Sequence, residues 1–398
     1  MVDFDAVIDR RGSDCTKWSE ENNLAQFGRA DVLPFWVADM DFESAPAIKE
    51  ALAKRVEHGV FGYRTGNGHN TSYAAWVQRR FGWEVDPDWL VNLTGVVPGI
   101  RFAVQAFTQP GEKVLIQQPV YYPFEHSVTY NGCHLVSNDL VKRDGSWEVD
   151  FEDFERKVSD PMLTMFILCS PHNPVGRVWT EEELRRMADI CIEHNVLIVS
   201  DEIHNDLIMP GYTHHMLASL DERYAQRVIT LAAPSKTFNV AGLQLAYAII
   251  PNEELRRRYA WQVRRLGMGT PNLFAAVTAE AAYTGAEKWL DDLLVYLGGN
   301  LAFVREYVTQ YLPGVRLYEH QGTYLLWMDF GSYGLSDQEL EEKIFREAGV
   351  ALDAGTWFGS KSSSGHMRLN FACPRKTLEQ GLERIAAVFH SAETNREE

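Results

Sequence analysis

Positive charge is in short supply in this 398-residue chain: 38 Lys and Arg stand against 55 Asp and Glu, a net charge of −17. That balance argues against nucleic acid or an anionic membrane surface as a main partner, since both call for a basic face. Cysteine is also scarce. Cys15, Cys133, Cys169, Cys191 and Cys373 are an odd number, widely spaced, with no CxxC pair. They make neither a disulfide framework nor a zinc motif, so reduced thiols and no bound metal are the simplest reading. No apolar run approaches the roughly 18 residues that cross a bilayer, and the opening MVDFDAVIDRRG lacks an apolar signal core. A cytoplasmic protein without a membrane partner is expected. Internal repeats and low-complexity stretches are absent as well. What remains, 45% hydrophobic and 23% charged residues, is the composition of a globular protein, and the length suggests two or three domains of roughly 150 residues.

The middle of the chain alternates short apolar runs with helical patterns. The runs are 113–117, 164–169, 196–200, 228–232 and 245–250, nearly all apolar, as in strands buried on both faces of a parallel sheet. Thr180 and Glu183 form a capping-box pattern before an apolar face built from Leu184, Met187 and Ala188. Strand, helix, strand at this spacing, repeated in series, predicts a three-layer α/β domain. The C-terminal third reads as a smaller α+β domain, with a long helix over 289–311, strands over 322–330 and 367–371, and helices over 336–348 and 376–390. The expected division is an N-terminal segment, 1–45, packing on the small domain and the site, then a large domain, 46–285, and a small one, 286–398.

Four short signals follow in order. Ser170-Pro171-His172-Asn173-Pro174-Val175-Gly176, Asp201-Glu202-Ile203-His204 and Pro234-Ser235-Lys236-Thr237 each end a predicted strand, and Arg368 lies in His366-Met367-Arg368-Leu369-Asn370. Singly, each has a plainer reading: a turn, a helix cap, a solvated lysine, an ion-pair partner. In open α/β sheets, however, ligands bind outside the carboxyl ends of the strands, where the first three fall. Together they describe a site for pyridoxal 5'-phosphate (PLP). That cofactor needs a lysine amine to hold it, a carboxylate against its ring nitrogen, a donor to its phenolic oxygen and N–H groups at a helix N-terminus for its phosphate. An amino-acid substrate adds a carboxylate, which a guanidinium grips through two hydrogen bonds. Lys236, Asp201, Asn173 and Arg368 supply these types, and Thr94-Gly95-Val96-Val97-Pro98-Gly99, between a strand and a helical stretch, can cup the phosphate. His214-His215 has no further ligand spacing and reads as a surface loop; Trp36 and Trp357 are the candidate pocket walls; Arg256 to Arg258 and Arg264-Arg265 read as a solvated or interface helix face.

With these residues the chain resembles the fold-type I PLP enzymes of the aspartate aminotransferase superfamily, and more narrowly their cystathionine β-lyase (cysteine-S-conjugate β-lyase) branch, the MalY/PatB type. The resemblance covers nearly the whole chain, and Asp39-Met40-Asp41-Phe42 and Asp201-Glu202-Ile203-His204 are its more branch-specific parts. It implies the fold-type I transferase fold, a three-layer α/β/α large domain with a mostly parallel sheet plus a smaller α+β domain, built as a homodimer with shared sites. It implies that Lys236 holds PLP and moves the Cα proton, that Asp201 pairs with the ring nitrogen, and that Asn173 bonds the phenolic oxygen. Tyr121 would stack on the ring, and Tyr63 would reach the phosphate in the neighbouring subunit. Val96 and Val97 would offer backbone N–H groups, Arg368 would bind the substrate carboxylate, and Tyr121 or Tyr63 would assist the leaving group.

Three positions depart from the wider superfamily. His204 stands where many aminotransferases have Tyr, Ala233 where a phosphate-binding Ser is common, with Ser235 as a partial replacement, and Gln244 where Arg or Lys is common. His204 and Gln244 match the lyase branch and favour elimination. The expected reaction is α,β-elimination from L-cystathionine or a related L-cysteine S-conjugate, giving a thiol, pyruvate and ammonia. Two other readings stay open: an aminotransferase on the same scaffold, and a PLP-binding partner of a transcriptional regulator with secondary lyase activity. The group carried on sulfur and the pathway are not legible in the sequence.

Overall fold

The computed structural model describes residues 2–359 and 361–394. A seven-stranded sheet lies at its centre. In chain order the strands are β1 (Leu90–Leu93), β2 (Lys113–Ile116), β3 (His134–Ser137), β4 (Leu163–Cys169), β5 (Leu197–Asp201), β6 (Val228–Ala232) and β7 (Ala246–Ile249). In space they run β1-β7-β6-β5-β4-β2-β3. The pairs from β6 to β3 are parallel. Every residue of β5 and β6 is buried, which is why these strands read as nearly all-apolar runs rather than alternating ones.

One strand departs from the sequence expectation. The run read as a parallel strand over 245–250 is β7, and it is antiparallel to both β6 and β1. A parallel return needs a crossover, usually a helix, that carries the chain back along the sheet. Here the connection is spent on two short turns, Pro234–Thr237 and Ala241–Leu243, at the same sheet edge. The next strand therefore starts where the last one ended.

Helices α1 (Val96–Phe107) and α2 (Glu181–Glu193) flank the sheet. The capping box of α2 forms as read: Thr180 and Glu183 bond reciprocally, and Leu184, Met187, Ala188, Ile190 and Cys191 are buried. Such a cap contributes about 1 kcal/mol. The 25-residue α3 (Glu287–Tyr311) leads to a second, four-stranded sheet of β8 (Arg316–Leu317), β9 (Leu325–Asp329), β10 (Asp353–Ala354) and β11 (His366–Asn370), all antiparallel in the order β8-β9-β11-β10. Helix α4 (Arg375–Thr394) closes the described chain. The stretch read as one helix over 336–348 starts as an α-helix at Asp337–Glu341 and continues as a π-helix over Glu342–Glu347.

The N-terminal segment runs beside the second sheet. Leu33–Pro34 pairs in parallel with Val350–Ala351. Asn370 donates its side-chain amide to the carbonyls of Val37 and Asp39, at 2.8 and 2.6 Å. Across β4, β5 and β6 the register sets Cys169 against Asp201 and Asp201 against Leu231. The three segments that follow these residues thus leave from one edge, which is where the site forms.

Candidate active site

The cleft at that edge is lined by Lys236, Asp201, Asn173, His204, Tyr121, Val96, Val97 and Ser235, together with Gln244 and Ala38. Lys236 sits in the one-turn helix Pro234–Thr237 and donates from Nζ to the Ala38 carbonyl at 2.6 Å. Burial pulls its amine down to about 8, helped by the Arg368 charge and opposed by Asp39 and Asp201. A lysine so placed keeps a larger neutral fraction than a free one and is a better nucleophile.

The turn that carries Lys236 is fixed from both sides. Thr237 donates to Asp206 at 2.9 Å, and Asp206 also accepts from the Trp76 indole at 3.1 Å. Asn239, in the left-handed region at φ 56°, accepts from the Met40 N–H at 2.9 Å and donates to the carbonyls of Met40 and Phe42 at 3.0 and 2.9 Å. This ties the Lys236 turn to the N-terminal segment that presents the Ala38 carbonyl. Behind that segment, Arg10 pairs with Asp39 and Asp41 at 2.7 and 2.6 Å, and the fully buried Lys17 pairs with Asp41 at 2.7 Å. Tyr324 adds a second donor to the Ala38 carbonyl, at 2.9 Å.

Asp201 ends β5, and its carboxylate accepts from the Ile203 N–H at 3.1 Å. Burial raises it to about 7, against the pull of that N–H and of Lys236. A buried carboxylate held by a backbone N–H is costly to ionise unless a cation arrives beside it. His204 is buried, and burial, with the charges of Lys236 and Arg368, drives its imidazole well below the ordinary range, so it is neutral. Burial likewise pushes the Tyr121 phenol up, which keeps it a protonated donor.

Helix α1 starts at Val96 after Gly95, with no side chain capping its first turn. Its leading N–H groups and the positive end of its dipole therefore remain for an anion. Arg368, on β11, donates from Nη1 to Asn173 Oδ1 at 3.1 Å and from Nη2 to the Trp36 carbonyl at 2.8 Å, and it forms an ion pair with Asp353. Its guanidinium lies 5.1 Å over the Phe358 ring.

These features fit PLP: a lysine amine, a buried carboxylate lacking a cation, an amide, an aromatic ring and an uncapped helix N-terminus converge on one cleft. Ala233 offers no donor and packs in the apolar cluster behind it. Tyr63 is fully exposed and does not reach the cleft of its own chain. Two expectations are corrected. His214 is no surface histidine: it is buried and bonded to the fully buried Glu202 at 2.9 Å, which needs a partner there. Among the described residues no cluster of three metal-ligating side chains occurs. The Trp36 and Trp357 indoles do not wall the cleft either; both pack on Phe27, and only the Trp36 carbonyl touches a site residue.

Sequence reading missed Tyr324 and Asp353. Asp353 lies directly opposite Arg368 in the register of β10 and β11, and nothing in its local sequence signals that pairing. Asn239 sits within the Lys236 motif and was within reach.

Residues 30–385 match the aminotransferase class I and II family. The chain is 44% identical to cystathionine beta-lyase PatB of Bacillus subtilis, over 98% of this chain and 100% of the relative. Among solved structures, cystalysin from Treponema denticola, which contains a pyridoxal 5'-phosphate cofactor, superposes with a TM-score of 0.94 at 34% identity, covering 98% of this chain and all of the other. A PLP-bound C-S lyase from Staphylococcus hominis gives 0.89 at 31% identity, with 97% of each chain covered. A match spanning most of the chain, with relatives this close along their full length, places the protein in the aminotransferase class I and II family.

Proposed function

We propose that the protein is a PLP-dependent carbon–sulfur β-lyase that cleaves L-cystathionine or a related L-cysteine S-conjugate to a thiol, pyruvate and ammonia. The observation that carries this reading is the meeting of Lys236, Asp201 and Asn173 in one cleft, with Arg368 bonded to Asn173 at its side. The choice of elimination is supported by the lyase name of the 44% identical relative and by His204 and Gln244 in the cleft.

PLP, when bound, supplies a sink for the electron pair left on the substrate when the Cα proton is removed. The chain's own groups do the rest. Lys236 Nζ would hold the cofactor and then take the proton from Cα. The Asp201 carboxylate would pair with the ring nitrogen and favour its cationic form, which in turn would favour the ionised carboxylate. Asn173 would bond the phenolic oxygen, and Val96 and Val97 would offer N–H groups to the phosphate. Arg368 grips the substrate carboxylate. Tyr121, which lines the cleft, would stack on the ring and, as a neutral phenol, would hand its proton to the departing sulfur. Hydrolysis of the remaining three-carbon fragment consumes one water and yields pyruvate and ammonia.

The deciding assay sets thiol release from L-cystathionine beside amino transfer to 2-oxoglutarate. Elimination faster by at least about a hundredfold is expected, a gap of about 2.7 kcal/mol in barrier. Transfer faster than elimination would make the protein an aminotransferase.

Two further outcomes are expected. Uptake of PLP by cofactor-free protein needs the neutral amine. Since burial lowers Lys236 to about 8, the uptake rate rises with pH and is half-maximal near pH 8, not near the value of about 10.4 of a free lysine. Stopped-flow absorbance across pH 6–10 reads this. The second concerns assembly. Tyr63 is exposed beside exposed Val60 and Phe61, as a residue serving a neighbouring copy would be. The working form is a homodimer in which each Tyr63 reaches the phosphate held by the other chain. Tyr63→Phe should weaken PLP binding about tenfold, the loss of one hydrogen bond to a charged group, while sedimentation still gives a dimer.

A further inference from the structure

Arg368 is an unusual carboxylate ligand because it already has one. It is 2% exposed, and Asp353, 4% exposed, faces it across the β10–β11 register. The Asp353 carboxylate makes its side-chain hydrogen bond to Arg368 Nη2. The Trp36 carbonyl accepts the other Nη2 hydrogen at 2.8 Å, and Asn173 accepts one from Nη1 at 3.1 Å. The Nε–H is buried and has no partner among the described residues.

A guanidinium can grip a carboxylate with two parallel hydrogen bonds along either of two edges, Nη1 with Nη2 or Nε with Nη2. Nη2 belongs to both. In this site both Nη2 hydrogens are taken, while Nε and one Nη1 hydrogen are open. A substrate carboxylate therefore cannot complete either two-point grip without displacing a group from Nη2. Of the two groups there, the Trp36 carbonyl is fixed by the backbone, whereas Asp353 is a side chain with a charge of the same sign as the incoming one.

We propose that Asp353 is a specificity-determining residue that competes with the substrate α-carboxylate for Nη2 of Arg368 and so sets how tightly the site holds amino acids. It neutralises a buried guanidinium in the empty site, where an unpaired charge would be costly. It also limits the hold on any carboxylate, that of the keto-acid product included. The inference rests on the reading of Arg368 as the carboxylate ligand.

The test uses the PLP-loaded dimer and follows the cofactor absorbance during titration with L-alanine and with L-alaninamide. L-alanine has no leaving group at Cβ, so it binds without elimination, and the amide lacks the carboxylate charge. Asp353→Asn keeps the volume and an acceptor for Nη2 but removes the negative charge. It should tighten L-alanine binding at least about tenfold and leave L-alaninamide within about twofold. Steady-state KM for L-cystathionine should fall with it, while kcat does not rise. A merely structural role would weaken both ligands. Unchanged or weaker L-alanine binding overturns the proposal. Should the Asn variant fail to fold, Asp353→Ser, which leaves room for water at Nη2, is read by the same ratio. Arg368→Ala separates the two levels. If the preference for L-alanine over the amide survives its removal, the reading of Arg368 fails; if the preference is lost there but untouched in Asp353→Asn, only the competition fails.

Discussion

Lys236→Ala is expected to release no pyruvate from L-cystathionine above about 10⁻⁵ of the parent rate, the scale of loss when a covalent catalyst is removed. The amine is asked to do two things at one place: hold the cofactor and take the Cα proton. No second lysine lines the cleft. The variant should fold, because the supports of its turn do not involve the amine. Thr237 still bonds Asp206, and Asn239 still grips Met40 and Phe42. A thermal midpoint close to the parent's, together with loss of the visible absorbance of bound cofactor, would therefore assign the loss to chemistry. Turnover at the parent rate would remove Lys236 from the mechanism.

The second large effect is expected at Asp201. Asp201→Asn preserves the side-chain volume and an acceptor for the Ile203 N–H, so the strand end is undisturbed. What disappears is the negative charge that answers a cationic ring. Removing one charge-stabilising group from a preorganised site costs about 10²–10³ in kcat. The variant should keep PLP, held by Lys236 and the phosphate cup, and lose turnover by about that factor. Both readouts come from one preparation: absorbance for cofactor load and pyruvate formation for rate. Full activity would contradict the role given to Asp201, and loss of cofactor would make it a binding residue instead.

Much of this site could be read from the chain because each of its parts is a short contiguous motif. Asn173 and Lys236 each follow a largely apolar strand and Asp201 ends another, and the register of β4, β5 and β6 brings their segments to one edge. Strand ends in a parallel sheet are predictable places, so short motifs there carry position as well as chemistry. Arg368 was legible only as the last member of an ordered set, whose chemistry calls for a guanidinium.

The residues that escaped are those placed by pairing between distant segments. Asp353 sits in an apolar stretch, Leu352-Asp353-Ala354, and becomes a site residue only through its register against Arg368. Tyr324 matters through one hydroxyl directed at the Ala38 carbonyl, nearly 300 residues away in sequence. His214 was read as exposed because no local signal reveals that Glu202, adjacent to Asp201, is fully buried and needs a partner. The reversal of β7 escaped for a related reason. Its composition is that of a strand buried on both faces, and direction follows from the missing crossover helix, not from the residues.

The most direct test of the account is continuous pyruvate release from L-cystathionine by the purified, PLP-loaded protein with no keto acid added. The account predicts sustained pyruvate, with equal ammonia, over many turnovers. Absence of pyruvate from a fully loaded protein given L-cystathionine and other L-cysteine S-conjugates in turn, or product limited to one equivalent per subunit until a keto acid is supplied, would contradict it.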